Sequence, residues 1–134
     1  MRYVLDASVA VAALRTTEPC HAASLRRCLP FFAGSDEIVV PAIFDVEVFS
    51  ALVRRGAEPA RVNELFEAHF GTRTVLPIGP RIVRAVRGVV AATRLRAADA
   101  FYVWAAAREG VPLVTLDDEV IARAHLAGAS ATRP

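Results

Sequence analysis

A chain of 134 residues matches one domain of ordinary size, and 54% apolar residues suffice for a packed core. All 16 basic residues are arginine, set against 14 acids, for a net charge of +2. A bias of this kind arises from codon usage alone, so the basic balance is not evidence for nucleic acid, although guanidinium suits phosphate. The longest clean apolar run, residues 100–107, is far too short to span a bilayer. The apolar start after Arg2 is interrupted by Asp6, which is costly inside a membrane. The expectation is a soluble, cytoplasmic protein with no membrane partner.

In chain order, Tyr3-Val4-Leu5 is an apolar strand that ends in Asp6 and passes at once into an Ala-rich helix, Ser8 to Leu14. Thr16 to Pro19 make a turn. Pro19 suits the first turn of a second helix, which runs to about Leu29, with Pro30 ending it. Ile38-Val39-Val40 is a second strand, stopped by Pro41. Ala42 to Arg55 is a long helix, apolar almost all round and closed by Gly56. Glu58-Pro59 opens another helix. Thr74 to Leu76 is a third strand, and Gly79-Pro80 opens a helix to about Thr93. Ala97 to Glu109 is the next helix, ending at Gly110. Val111 to Thr115 is a fourth strand, Asp117 to Leu126 a last helix, and residues 128–131 a short edge strand. Alternating strands and helices imply an α/β fold: a parallel sheet of four to five strands with helices on both faces, in one domain, 1–134.

Cysteine and histidine offer little. Cys20 and Cys28 fall eight residues apart in one predicted helix. At about 1.5 Å rise per residue that is roughly 12 Å, too far for a disulfide. His21, His69 and His125 are scattered and expected at the surface, so zinc is not indicated. Four carboxylates are more informative. Asp6 leaves the first strand, where α/β sheets bind ligands. Glu47 lies against the apolar stripe of the long helix. Asp99 borders a buried face through Tyr102 and Val103. Asp117 follows the fourth strand. Each has a plain structural role open to it: Asp6 and Asp117 as helix caps, Asp99 as a first-turn acid, Glu47 on a polar edge. Converging acids would raise one another's pKa, and a divalent cation would remove the conflict. An oxygen-only site suits Mg²⁺ or Mn²⁺.

Asp6-Ala7-Ser8, Glu47 in a mid-chain apolar helix, Ala98-Asp99-Ala100 opening a helix, and Thr115-Leu116-Asp117 after a strand together resemble the motifs of PIN-domain nucleases. Length and layout are most similar to VapC-type toxins of bacterial toxin–antitoxin pairs, across essentially the whole chain. The resemblance implies a PIN-like three-layer fold and a metal-dependent endoribonuclease that hydrolyses phosphodiester bonds. Asp6, Glu47, Asp99 and Asp117 would surround Mg²⁺, with Mn²⁺ able to substitute. Two ions, if both bind, would lie about 3.5–4 Å apart. It also implies a homodimer, inhibition by a small cognate antitoxin, and with it a toxin–antitoxin hetero-oligomer. Ser8 and Thr115 would orient carboxylates. Asp118 is a second acid beside Asp117; either could fill the fourth role, and the motif favours Asp117. Ser50 stands where the family often has Asn. Arg94 and Arg96 are candidates for steering the RNA backbone.

Two further classes compete: a non-catalytic PIN-fold interaction module, and an aspartate-based phosphoryl-handling domain. A receiver domain resembles this layout but needs a pocket lysine, and the chain has none. An aspartyl-nucleophile phosphatase would carry a second Asp at the position of Ser8. For the antitoxin, the long helix with Leu25, Leu29, Leu65 and Phe66 on its neighbours predicts an apolar groove, anchored by Phe49 or Leu52.

Overall fold

The computed structural model describes all 134 residues, and its centre is strand β1, Arg2–Leu5, whose last three residues are fully buried. Around it lie β2 (Glu37–Pro41), β3 (Thr74–Leu76), β4 (Leu113–Val114) and β5 (Ala131–Thr132), in the order β3-β2-β1-β4-β5. Every pairing is parallel, with Val4 opposite Val39 on one side and Leu113 on the other. The crossovers are helical: α1 (Ala7–Leu14), α2 (His21–Phe32), α3 (Ile43–Arg54), α4 (Pro59–Phe70), α5 (Pro80–Thr93), α6 (Ala97–Glu109) and α7 (Asp118–Arg123), which runs into a 3₁₀ turn over Ala124–Ala127. This is the three-layer α/β architecture expected of alternating strands and helices. Because all strands are parallel, their carboxyl ends share one edge, and the acids that follow β1 and β4 emerge side by side.

The small side chains of α1 let it pack closely on α2 and α3, while α6 lies across β1, β2 and β4. Phe31, Phe44, Phe66 and Phe70 knit α2, α3 and α4 together, with ring centroids about 6 Å apart. Truncating such a buried ring costs about 3–5 kcal/mol. The core thus braces both α1 and α3 behind the carboxyl edge of the sheet.

Several boundaries differ from the sequence expectation. Helix α2 begins at His21, not at Pro19, because Cys20 turns left-handed (φ 65°) just before it. Pro30 does not end α2; the helix runs on to Phe32. A proline so near the terminus forfeits only one intrahelical bond, and the Pro30 carbonyl accepts from the Ser35 amide, the Asp36 amide and Ser35 Oγ. The two cysteines are free, Cys20 exposed and Cys28 buried. Of the histidines only His125 is exposed; His21 and His69 are half-buried, bonded through Nδ1 to the Ala12 and Leu65 carbonyls. The last helix gives way to 3₁₀ geometry before Leu126, and the edge strand sits at Ala131–Thr132.

The predicted groove is also redrawn. Leu52 and Phe66 are core residues, so Leu52 cannot anchor a partner, and Phe49 is half-buried against the core. The exposed apolar residue of α3 is Val46, and on α2 it is Leu29. No helix is long and apolar enough to cross a membrane.

A candidate active site of four carboxylates

A cleft of about 550 Å³ opens at the carboxyl edge of the sheet, and Asp6, Glu47, Asp99 and Asp117 all line it. They arrive on four separate elements: the exit of β1, the middle of α3, the first turn of α6 and the N-cap of α7. Ser8 lines the cleft beside them. Thr115 is buried behind Asp6. Asp118 does not line it; its side chain is 79% exposed and paired with Arg133. Arg96 is at the rim, whereas Arg94, which caps α5 in a left-handed turn, is not among the lining residues.

Asp6 stands at the N-cap position of α1, yet its side chain makes no capping bond. Instead Ser8 Oγ (2.8 Å) and Thr115 Oγ1 (2.6 Å) both donate to its Oδ2. Thr115 Oγ1 in turn accepts from the Asp117 amide (3.1 Å), and Ser8 Oγ from the Leu116 amide (3.4 Å). One carboxylate oxygen is thereby tied to the residues that leave both β1 and β4 at the carboxyl edge of the sheet. Asp117 does cap: its Oδ1 accepts from the Glu119 (2.8 Å) and Val120 (3.4 Å) amides, so capping and lining coexist in one residue. Its Oδ2 faces Arg96 Nη2 (3.4 Å), while Arg96 Nε reaches Asp99 Oδ2 (3.2 Å).

Glu47 is held differently. The Tyr102 hydroxyl, on α6, donates to Glu47 Oε1 at 2.5 Å. Tyr102 is buried, and its own pKa is driven far above the ordinary value by burial and by the Glu47 charge. It therefore remains a donor throughout the physiological range. Sequence reading took Tyr102 only as a sign of burial; nothing local marks a tyrosine whose partner lies 55 residues away. Glu18 and Arg55 also line the cleft, paired with each other, and no sequence pattern joined them either.

Three of the four acids are shifted upward. Burial is the main cause for Asp6, partly offset by the bonds from Thr115 and Ser8, with the Asp117 charge adding to the rise. Burial also leads for Glu47; Tyr102 opposes it, and the Asp6 and Asp99 charges add to it. For Asp99, burial outweighs Arg96, reinforced by Asp117 and Asp6. The mutual repulsion expected from the sequence is present but ranks behind desolvation. Such a set of carboxylates presents only oxygen donors, which fits a hard divalent cation. As they stand, no three His, Cys, Asp or Glu side chains are gathered closely enough to grip one ion.

A twisted parallel sheet that collects four carboxylates at one edge is a design shared by a recognisable class of α/β domains. The chain belongs to the PIN domain family, whose pattern matches residues 3–126. Among solved structures, VapC20 of Mycobacterium tuberculosis, a toxin that cleaves the sarcin–ricin loop, superposes with a TM-score of 0.76 at 15% identity, over 98% of this chain and 99% of its own. VapBC2 of Rickettsia felis, solved with a DNA fragment from its promoter, gives 0.70 at 14% identity over 100% and 99%. FitAcB of Neisseria gonorrhoeae gives 0.61 at 18% identity over 96% and 95%. At these identities the fold is what is shared. No curated protein matches the chain by sequence.

Proposed function

We propose that the protein is a metal-dependent endoribonuclease, the toxin of a toxin–antitoxin pair, built as a single nuclease domain over 1–134. The observation that carries this reading is the convergence of Asp6, Glu47, Asp99 and Asp117 in one cleft, three of them held above their ordinary pKa values. An interaction module has no use for several partly buried acids gathered in one cleft, an arrangement that costs stability. The structural neighbours described as VapC and VapBC proteins support the toxin assignment.

The four carboxylates would hold Mg²⁺, with Mn²⁺ as a substitute. When bound, the ion lowers the pKa of water at the site and offsets charge on the scissile phosphate. The chain's own residues prepare for this. Ser8 and Thr115 fix Asp6 Oδ2. Tyr102 fixes Glu47, and the α7 amides fix Asp117. Arg54, beside Ser50 and Glu47, provides positive charge next to the acids along which an RNA backbone would run.

For partners, we propose a small antitoxin and a second copy of the chain. Val46, 70% exposed, lies with Ile43, Ile78, Ala98 and Phe101 in an apolar hollow that also reaches Glu47. Light scattering of the purified chain, alone and with its neighbouring-gene product, tests both. The activity is tested on total cellular RNA in Mg²⁺, in Mn²⁺ and in chelator. Cleavage confined to the metal-containing reactions and lost in Asp6→Asn is expected; no cleavage by pure, folded protein in either metal overturns the reading.

A further inference from the structure

The cleft has one cation lying directly on its acids, and that cation belongs to the chain. Arg96 Nε is 3.2 Å from Asp99 Oδ2 and Arg96 Nη2 is 3.4 Å from Asp117 Oδ2. The choice of oxygens matters. Asp117 Oδ1 is committed to the α7 amides, so Oδ2 is the only oxygen of Asp117 free to take a ligand, and Arg96 is on it. The other arginines lining the cleft are engaged elsewhere, Arg55 by Glu18 and Arg133 by Asp118.

We propose that Arg96 is a built-in counter-cation which competes with the metal ion for Asp99 and Asp117, and which on displacement becomes a phosphate-gripping residue for RNA. This rests on the metal-dependent nuclease reading above. Both contacts are longer than the 2.7–2.9 Å typical of strong charge-assisted bonds, and the side chain is 77% exposed, so the clasp is readily opened. Its backbone is not free to drift, because Leu95 before it is buried and α6 starts directly after it. Once displaced, the guanidinium therefore remains at the cleft rim, and its planar fork matches a phosphodiester. Metal and RNA then help each other: the ion frees Arg96 for RNA, and RNA that holds Arg96 leaves the acids to the ion. Such coupling is reciprocal by thermodynamic necessity.

Calorimetric titration of Mn²⁺ into RNA-free protein tests the competition without relying on activity. Arg96→Gln is expected to bind Mn²⁺ roughly three- to tenfold more tightly than the parent, the factor that two exposed ion pairs of ordinary strength would withhold. Arg96→Lys, which keeps the charge but not the fork, should fall between them. Arg94→Gln removes an equal charge two residues away that touches no acid, and should leave the Mn²⁺ affinity unchanged. With RNA present, Arg96→Gln should raise KM more than it lowers kcat. An Arg96→Gln affinity equal to or weaker than the parent's overturns the proposal while leaving the metal site intact, and so does equal tightening by Arg94→Gln. If neither the parent nor Arg96→Gln binds Mn²⁺ saturably, the metal reading itself fails, and the exchange with it.

Discussion

The two ends of β1 treat acids in opposite ways. At its amino end Asp36 accepts from the Met1 ammonium (3.0 Å) and from Arg27 (3.1 Å), while Arg2 pairs with both Glu37 and Glu109. Burial pushes Asp36 up, but these two cations outweigh it and hold the carboxyl below its ordinary value. At the carboxyl end, about 13 Å away along four residues of strand, burial wins at Asp6, Glu47 and Asp99, and the only cation on the acids is exposed. Both ends use the same residue types and the same sheet. What differs is whether a cation is supplied, and the end left short of cations is the one suited to recruit one.

The sharpest way to break this contrast is Asp6→Asn. If the cleft acids serve a metal, the variant should lose about 10²–10³-fold in RNA cleavage, several kcal/mol of transition-state stabilisation. Its chelated form should melt at or above the parent, because one buried charge is gone. Retained cleavage with a lower melting temperature in chelator would make Asp6 a structural residue, like Asp36.

Tyr102→Phe probes the support rather than the ligand. It removes the donor to Glu47 while keeping the ring in the core, and burial then acts on Glu47 with less opposition. Partners of metal-ligating groups are commonly worth 10–100-fold in affinity or activity. Calorimetric Mn²⁺ titration should show a loss in this range. An unchanged affinity would mean that Glu47 needs no positioning.

pH separates the two ends by sign. Asp6, Glu47 and Asp99 are raised, so the folded state binds their protons more tightly than the unfolded chain does. Their contribution to stability is fully present below the unfolded values near 4 and is lost as pH rises through the raised ones. Asp36 runs the other way: its contribution is present above about 3.9 and is lost as pH falls through its lowered value. In chelator, the urea midpoint should fall as pH rises above about 4 through the raised values, and Asp6→Asn should flatten that slope. Saturating Mn²⁺ at 100 times Kd should add about 2.7 kcal/mol at the upper end. A parent midpoint that is flat or rising in chelator would contradict an excess of buried negative charge in the cleft.

Much of this was legible in the chain, for a physical reason. Apolar runs, proline and glycine mark where strands and helices begin and end, and in a parallel sheet the strand exits converge, so Asp6 and Asp117 could be placed together from order alone. Their surroundings could not. Whether an acid at a strand exit caps a helix or faces a cleft depends on where its oxygens point, and Asp6 and Asp117 answered differently. Tyr102 with Glu47 and Arg55 with Glu18 join residues far apart in sequence, which no local period encodes. Pro30 misled because the cost of one lost intrahelical bond does not by itself end a helix, and α2 continues two residues beyond it. Leu52 misled because a helix that is apolar all round does not announce which face the core takes; α1 and α4 pack on α3, with Leu52 buried and Val46 left outside.

The smallest effect is the control on which the comparison rests. Asp36→Asn keeps the shape of the side chain and removes the charge that holds both the Met1 ammonium and Arg27. Arg27 also lies over the Tyr3 ring, 3.7 Å from its centroid, so it keeps one apolar contact when the carboxylate is neutralised. The loss should therefore be that of half-buried pairs, a melting temperature lower by roughly 3–6 °C at neutral pH. It should shrink as pH falls through the Asp36 value, where the parent loses the same charge. Because all four cleft acids lie at the opposite, carboxyl edge of the sheet, the Mn²⁺-induced rise in melting temperature and the rate of RNA cleavage should match the parent's. Thermal melts of Asp36→Asn with chelator and with Mn²⁺ decide this. A smaller Mn²⁺-induced shift would show that the strand transmits charge or strain from one end to the other, and the two ends could no longer be treated as separate experiments on one sheet.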